Sequence, residues 1–479
     1  MNKSIIYALA SSALVVATSC TDLDVDVKSK YTEYPNESEI ALEAKMSDVY
    51  YAFRTQLGNN YNRTQTFASD EAAGISFDGD YYDSAENVNP TLHNFNPENK
   101  PLNYWADLAS GITKCNQFID DLAGNNSKAM QIAQARTMRA FYHFILMDSF
   151  GDVPVLDRVP DDGEAVERKP RAEVAAFIEK ELKECLPLLS DKNNAATYGK
   201  PNRWMAEALL VKLYINWGVY TCANVADYDA ATTVNNKLDE CVAMCDDIIK
   251  SHLFNLDDTY RKKFLYNNGV HIKDFIYAMP YDKVSAQGLK YGQYRTFRKV
   301  DGGDSMGYLG GKMNKSCAGI CAMNEEFANL FTLPGDDRND IILGATTDGK
   351  VYIHDPLTGE PTANPYIYKG EQLVLSKKIQ LKDDSETARQ QLDCGATPKG
   401  WSQGYRSLKF YPNPNEYAAY ERNQSNDVPI FRYADIILTK AEALLRGAQK
   451  TNEDTPQSLL NQIRSYVHAP QFIGTPTLQ

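Results

Sequence analysis

The sequence predicts a mostly α-helical fold, a scaffold of tetratricopeptide-like helical hairpins that carries long, irregular, loop-rich insertions. Three observations support this prediction. Apolar residues recur at i, i+3, i+4 and i+7 in several windows, which is the period of an amphipathic helix. Small residues in these windows would let helix backbones approach closely, as they do in helical solenoids. Between the windows lie two long segments rich in Gly, Asn, Asp, Pro and Tyr, which favours functional loops.

The N-terminus has the pattern of a secretory signal. Lys3 precedes an apolar run at residues 5–17, which is too short to span a bilayer. The run ends in small residues before Cys20, and a cysteine at this place is acylated in lipoproteins. We therefore expect residues 1–19 to be a lipoprotein-type signal peptide and Cys20 to be lipidated. Ala17 departs from the usual leucine there, and an ordinary signal with an incidental cysteine is the alternative.

The predicted helices follow along the remaining chain. Their residues are 38–54, 105–122, a segment ending at 150, 171–189, 206–217 with Gly218 as its stop, 238–249, 434–445 before Gly447, and 457–467. The helical scaffold is thus expected at residues 38–56, 104–255 and 429–467. The insertions are expected at residues 59–101 and 279–425, with only short strand-like pieces such as residues 351–354. We expect residues 20–479 to form a single domain.

The cysteine pattern argues against a disulfide framework. The chain has 9 Cys, so eight remain if Cys20 is acylated, and an even count in an exported protein favours pairing. Cys241 and Cys245, however, lie on one apolar helix stripe, where they are typical of reduced core residues. Cys317 and Cys321 have the same spacing among Gly and Ser, and their redox state is left open.

Charge and composition exclude some partners. The formal net charge is -13, which disfavours nucleic acid and anionic membrane surfaces. Tyrosine is used heavily, with 30 residues against 18 Phe and 4 Trp, and its ring and hydroxyl suit a binding surface.

Motifs for catalysis are weak. Gly303, Ser305 and Gly307 satisfy G-x-S-x-G, but Gly310 and Gly311 follow where the nucleophile elbow needs a helix. The six His residues have no zinc spacing, and Lys312 is followed by Met instead of the Ser or Thr of a phosphate-binding loop. We therefore expect no enzyme activity and no cofactor.

Seven segments share the pattern of one family. They are Cys20 to Leu23, WADLASGITKCN at 105–116, RTMRAFYHFILMDSFGDVPV at 136–155, residues 203–218, residues 327–338, PIFRYADIILTKAEALL at 429–445, and residues 460–464. Together they resemble the SusD-like (RagB/SusD) family of outer-membrane glycan-binding lipoproteins, which implies an α/α superhelix. Asp337 stands where the family has the proline of Asp-Pro-Arg. The family normally continues with a Glu-Arg pair and a Glu-Gly turn, so we expect a C-terminal segment to be missing from this sequence.

The resemblance implies a binding protein. Such proteins capture an oligo- or polysaccharide at the cell surface and deliver it to a SusC-type TonB-dependent outer-membrane transporter, on which they act as a lid. Capture of peptides or glycopeptides by the same architecture is the first alternative. An outer-membrane glycosidase or esterase is a more distant one.

A glycan site needs flat rings for the C–H faces of sugars and polar groups for their hydroxyl rims. Starch-type members of the family form an aromatic arc from the two insertions, and this is carried over by region. The candidates are Asn60, Tyr61, Asn62, Asp80, Tyr81, Tyr82, Tyr104, Tyr281, Tyr291, Tyr294, Tyr308 and Cys317. For each Tyr the alternative is packing of a loop onto the helical body. Trp105 and Trp217 are expected in the core, and Trp401 is a lower-ranked candidate.

A cluster of acidic residues allows three interpretations. Asp78, Asp80, Asp83 and Glu86 offer enough oxygen atoms for Ca²⁺, although Tyr82 breaks the EF-hand pattern. The two alternatives to a calcium site are a sugar-contacting loop and a solvated acidic turn.

Overall fold

The computed structural model describes residues 38–98, 100–295, 317–355, 357–368, 370–410 and 412–478. The chain divides into two compact units, residues 1–45 and 46–479. The described part of the first unit, residues 38–45, is the beginning of helix α1. Apart from the first turns of α1, the features discussed below belong to the second unit.

Helices account for most of the regular structure. They are α1 Glu39–Tyr50, α2 Arg54–Gln56, α3 Asn62–Phe67, α4 Val88–Thr91, α5 Tyr104–Asp121, α6 Ala129–Phe150, α7 Arg171–Cys185, α8 Arg203–Ile215, α9 Trp217–Thr221, α10 Leu238–Lys250, α11 Tyr291–Arg295, α12 Glu325–Ala328, α13 Glu386–Gln391, α14 Pro398–Trp401, α15 Pro414–Ala419, α16 Tyr433–Leu445 and α17 Pro456–Tyr466. A π-helical turn, Leu57–Tyr61, joins α2 to α3. The prediction of a mostly α fold is confirmed.

The strands are short and pair antiparallel in twos. They are β1 Ala72–Gly74, β2 Phe275–Met279, β3 Cys321–Met323, β4 Ile342–Leu343, β5 Tyr352–His354, β6 Pro361–Pro365, β7 Ile367–Tyr368, β8 Glu371–Gln372, β9 Arg406–Ser407 and β10 Val428–Arg432. The pairs are β1 with β3, β2 with β10, β4 with β9, β5 with β6 and β7 with β8. Ala73 lies opposite Ala322 in the first pair, so residues far apart in sequence are joined there.

The long helices pack in sequence order. Helix α6 lies between α5 and α7, α8 contacts α7 and α10, and α10 contacts α16, which packs on α17. Neighbouring helices therefore form a continuous layer of pairs. The closer likeness to tetratricopeptide repeats stays a prediction.

Helix α6 forms the centre of the core. Met138, Phe141 and Ile145 predict one apolar stripe, but nearly every side chain from Ala133 to Met147 is buried. The Phe141 ring meets the rings of Tyr277 on β2 and Phe431 on β10, at 6.4 Å each. Because helices cover this stretch on some faces and the β2–β10 pair covers another, it has almost no solvent-facing side, whereas Met130 and Asp148 near the helix ends are exposed.

The polar groups of α6 are satisfied by its neighbours. Arg139 donates from Nε to Glu181 Oε2 of α7 at 3.0 Å and from Nη1 to Asn116 Oδ1 of α5 at 2.7 Å. His143 lies one turn further on, and burial lowers its pKa to about 4. Its neutral ring is placed between the Arg139 carbonyl oxygen and the Leu156 amide, at 2.8 and 3.1 Å. These bonds connect three helices, α5, α6 and α7, and the loop near Leu156.

Two predicted helix features are wrong. Gly218 does not end α8. The helix stops at Ile215, because the side chains of Asn235 and Arg446 donate to the carbonyl oxygens of Tyr214 and Ile215 at 2.9 and 2.7 Å. In α16 the buried face is rotated relative to the apolar stripe that the sequence predicts, and Leu438, which belongs to that stripe, is 38% exposed.

The buried face of α16 includes a charged residue. Lys440 is fully buried, and its Nζ atom lies 2.7 Å from Asp246 Oδ1 on α10. Asp454 pairs with the same ammonium. Two carboxylates thus compensate a buried charge, which sequence periodicity does not anticipate.

The tryptophans differ from expectation. Trp105 and Trp217 are half-buried rather than core residues. Trp105 packs edge-on against Phe150 at 4.9 Å, and Trp217 lies under the Lys237 ammonium at 5.3 Å. Trp401 is 7% exposed at the end of α14, so it offers little surface to a ligand.

The cysteine prediction is confirmed for the described residues. Cys241 and Cys245 are reduced and buried, and Cys317 and Cys321 are also free thiols. Within the part of the chain that the structure describes, no helix combines the length and the apolar character that crossing a bilayer requires.

Candidate functional site

The chain after α2 forms helical turns where a loop is predicted. Asn60 and Tyr61 lie in the π-helical turn, a feature often found at functional sites, and Asn62 begins α3. Asn60 accepts from Arg63 at 2.9 Å. Gly58 permits a close backbone approach, because a Cβ atom there would lie 2.6 Å from the Gly288 carbonyl oxygen. The turn is therefore shaped to receive the chain that returns after residue 288.

Helix α11 occupies that place and brings the second insertion to the first. The Tyr291 hydroxyl donates to the Leu57 carbonyl oxygen at 3.1 Å, and Arg295 donates to Asn62 Oδ1 at 3.0 Å. Together these segments form a narrow cleft, here called the Arg63–Tyr294 cleft. Its lining residues are Asn59, Asn62, Arg63, Thr66, Phe67, Tyr291, Tyr294, Arg295 and Cys321.

Arg63 and Tyr294 define the chemistry of the cleft. The Arg63 guanidinium carbon lies 4.7 Å from the centre of the Tyr294 ring, a cation–π contact. Burial raises the pKa of Tyr294 and the Glu86 carboxylate adds to this, while Arg63 opposes it. The Tyr294 hydroxyl therefore stays protonated and can donate a hydrogen bond at neutral pH.

The acidic segment forms a strained loop, residues 78–86, beside the cleft. Five of its non-glycine residues have positive φ, namely Asp78, Tyr81, Asp83, Ser84 and Ala85. Such conformations cost free energy and persist where surrounding contacts impose them. Tyr81 and Tyr82 are half-buried in this loop.

Both ends of the strained loop are anchored. Asp78 Oδ1 lies 2.9 Å from Lys382 Nζ, which also pairs with Asp393 at 2.9 Å. The hydrogen bond from Lys382 lowers the pKa of Asp78. At the other end Glu86 Oε1 pairs with Arg63 at 2.9 Å. The loop is thus fixed to the wall of the Arg63–Tyr294 cleft.

Because of these pairings the acidic side chains do not converge. Asp78 and Glu86 point to different cations, and Asp80 and Asp83 are exposed. Among the described residues no group of three or more His, Cys, Asp or Glu side chains could hold a metal ion. The calcium interpretation therefore finds no support here, and the other two interpretations of the loop remain.

Four candidates are used to pack the insertions onto the helical body. Tyr104 and Cys317 are 1% exposed, and the Cys317 thiol donates to the Tyr417 hydroxyl at 3.3 Å. Tyr281 is 4% exposed and donates to the Arg54 carbonyl oxygen at 2.6 Å. Tyr61 packs edge-on between other rings, including Tyr104 at 5.4 Å, and burial raises its pKa. We leave these four out of the proposed site.

Three further predictions fall on residues outside the described part of the chain. These are Tyr308, the G-x-S-x-G motif at residues 303–307, and the lipidation site Cys20.

Sequence analysis missed several lining residues of the cleft. Arg63 and Thr66 come from the stretch that is predicted to be a loop, and Arg295 follows Tyr294 directly. The sequence does contain a signal for these residues, because the lining positions 59, 62, 63, 66 and 67 recur with the period of one helix face.

Two family models and one known protein match most of the chain. The family described as "Starch-binding associating with outer membrane" matches residues 23–215, and the family described as "SusD family" matches residues 273–472. The starch-binding protein SusD of Bacteroides thetaiotaomicron is 25% identical over 387 residues. That alignment covers 78% of this chain and 65% of the relative, so this chain spans less than two thirds of the relative's length.

Solved structures share the fold. A laminarin-binding SusD-like protein has a TM-score of 0.65 at 19% identity, covering 91% of this chain and 85% of its own. Surface glycan-binding protein A from Bacteroides uniformis gives a TM-score of 0.65 at 16% identity, covering 92% and 83%. The corresponding Bacteroides thetaiotaomicron protein in complex with laminarihexaose gives 0.61 at 15% identity, covering 90% and 83%. The chain belongs to the SusD/RagB family.

Proposed function

We propose that this chain is a non-catalytic, cell-surface lipoprotein that captures an oligo- or polysaccharide. It would deliver the glycan to a SusC-like TonB-dependent transporter in the outer membrane and act as the transporter's lid, held to the membrane by a lipid on Cys20. Membership of the SusD/RagB family supports this, since relatives are named for binding starch and laminarin.

One structural observation carries the choice of site. The two insertions, which sequence analysis selects for their aromatic and amide content, meet at the Arg63–Tyr294 cleft. The strained loop adds Tyr81 and Tyr82 beside it and is tied to the cleft through the Glu86–Arg63 ion pair. Rigid loops lose little conformational entropy on binding, which favours weak exposed contacts such as those with sugars.

The residues of the proposed site offer different kinds of contact to a sugar. The rings of Tyr81 and Tyr82 offer flat faces for the C–H surfaces of sugar rings, whereas Tyr294, which Arg63 covers on one face, offers its hydroxyl. The side-chain amides of Asn59 and Asn62 provide donors and acceptors for hydroxyl groups. Each contact contributes little, so a longer glycan that reaches several of them would bind more tightly.

The test is native affinity electrophoresis of the chain from Thr21, through gels that contain neutral and acidic polysaccharides. We expect retardation by one glycan, without release of sugar. Tyr82→Ala and Tyr294→Ala should weaken binding about tenfold, which corresponds to about 1.4 kcal/mol. Tyr266→Ala is the matched control, because Tyr266 is also half-buried and does not line the cleft.

Three results would contradict the proposal. A folded protein that no glycan retards would shift the function toward peptide or glycopeptide capture. Released sugar would indicate a glycosidase. Equal binding by the Tyr294→Ala variant and the control would place the glycan elsewhere on the surface.

A further inference from the structure

A second cavity, of about 400 Å³, shares no lining residue with the Arg63–Tyr294 cleft. Six apolar or aromatic side chains form most of its wall: Tyr260, Phe327, Leu330, Phe331, Ile341 and Ile342. The Phe327 and Phe331 rings meet edge-on at 5.4 Å. Leu330 is 67% exposed, so the cavity opens to solvent beside an uncovered apolar side chain. We call it the Lys409 cavity, after a charged residue in its wall.

The Lys409 ammonium has no carboxylate partner among the described residues. Its Nζ atom lies 4.7 Å from the centre of the Phe264 ring, and none of the ion pairs formed by the described residues includes it. Glu71 and Asp336 also line the cavity. Asp336, however, is held by Arg338, with 2.6 Å between Oδ2 and Nη2.

The nearby buried carboxylate is already neutralised. Asp274 Oδ2 lies 2.9 Å from Lys263 Nζ and 3.1 Å from Arg432 Nη1. Arg432 flanks the same Phe264 ring as Lys409, at 5.6 Å. Lys409, Arg432 and Lys263 therefore outnumber the Asp274 carboxylate here, although the chain as a whole has a formal charge of -13.

Burial and this excess together lower the pKa of Lys409. Burial, followed by repulsion from Arg432 and Arg295, lowers its pKa to about 7, and attraction by Glu71 and Asp274 offsets only part of that effect. An ammonium in low-dielectric surroundings is costly unless an anion pairs with it. An anionic ligand in the cavity would supply that partner.

We propose that the Lys409 cavity is a second ligand site, for a small carboxylic acid with an aromatic or branched aliphatic body, whose carboxylate pairs with the Lys409 ammonium. The body would lie against Phe327, Phe331 and Leu330. Arg338 and Ser407 also line the cavity, but its six apolar or aromatic side chains suit an apolar body better than the hydroxyl-rich ring of an acidic sugar. Glu71 and Asp336 disfavour a dianion such as a phosphate monoester. The site does not depend on the glycan-binding proposal.

The first experiment compares two ligands of the same shape. Binding of 3-phenylpropionate and of 3-phenylpropanamide to the wild-type chain is measured by isothermal titration calorimetry at pH 6 and pH 8. We expect the acid to bind at least tenfold more tightly than the amide at pH 6. Its affinity should fall about tenfold between pH 6 and pH 8, because the protonated fraction of Lys409 falls by about that factor.

The second experiment removes the charge. Lys409→Met keeps an apolar chain of similar length and should lose at least tenfold in affinity for the acid at pH 6. Lys378→Met is the matched control, since Lys378 is exposed and lines neither cavity. Circular dichroism verifies that both variants are folded.

Four results of these experiments would overturn the proposal. Failure of the acid to bind, equal affinity for acid and amide, or an affinity that is the same at pH 6 and pH 8 would each overturn the proposal. A folded Lys409→Met variant that binds as the wild type does would also overturn it. If this variant does not fold, the comparison of the two ligands at two pH values decides on the wild-type chain alone.

Discussion

Replacing Arg139 by methionine tests whether one buried ion pair holds the central helices together. Arg139 and Glu181 are 5% and 4% exposed. Besides Glu181, the guanidinium binds Asn116 on α5 and the Asp157 carbonyl oxygen, the latter at 2.6 Å. The substitution therefore leaves one buried carboxylate and two buried acceptors with fewer donors.

The size of the effect follows from these contacts. Removing one partner of a buried ion pair costs about 3–5 kcal/mol. Arg136 remains and lies 2.6 Å from Glu181 Oε1, so part of the carboxylate's compensation survives. We therefore expect the Arg139→Met variant to lose about 3 kcal/mol of unfolding free energy, at the lower end of that range.

Urea denaturation followed by circular dichroism measures this loss. The control is Arg158→Met, because the Arg158–Glu164 pair at 2.7 Å is exposed, and we expect its unfolding midpoint to stay unchanged. The double variant Arg139→Met/Glu181→Met should be more stable than Arg139→Met alone, since it no longer buries a carboxylate that has lost a partner. A loss below about 1 kcal/mol for Arg139→Met, or a double variant less stable than the single, would refute the reasoning.

Two further predictions concern titration and thiol access. Burial raises the pKa of Asp427 from 3.8 to about 6, against hydrogen bonds from Tyr198 and the Tyr281 amide. Because the folded state binds this proton more tightly than the unfolded state, Asp427 should destabilise the fold progressively as pH rises from about 4 to about 6. The melting temperature of the Asp427→Asn variant should lack this pH dependence. A variant whose melting temperature follows the same pH profile as the wild type would contradict the prediction. Cys222 is half-buried while the other seven described thiols are buried, so Ellman's reagent should label Cys222 first in the native protein, and peptide mass spectrometry showing another cysteine labelled first would contradict this.

The helical part of the fold was open to prediction because its signal is local. Apolar periodicity placed α5, α7, α10, α16 and α17 within a few residues of their observed bounds. It could not show that α6 is buried on nearly every face, because Arg139 and His143 look like surface residues in sequence. Their partners, Glu181 and the loop near Leu156, come from elsewhere in the chain.

Sequence analysis selected the two insertions that meet at the Arg63–Tyr294 cleft, but of its lining residues it proposed only Asn62, Tyr291 and Tyr294 as site residues. Tyr61 and Tyr294 are the same residue type in segments of similar composition. The structure encloses Tyr61 between Phe53 and Tyr104, whereas it sets Tyr294 against Arg63 in the wall of a cleft. Contacts between distant residues decide which ring lines the cleft, and no local pattern records them. The helical face that presents Arg63 was the one local signal left unused.

The long separation between the two sides of the Arg63–Tyr294 cleft has a consequence for the order of folding. The Tyr291–Leu57 and Arg295–Asn62 hydrogen bonds close loops of 234 and 233 residues. Loop closure must be compensated by contacts formed afterwards, whereas helices adjacent in sequence can pair early. The helices α5 to α10 can therefore assemble before the cleft exists. Binding at this proposed site would therefore require the chain to be folded through residue 321, and a partly folded protein with near-native helix content would still lack it.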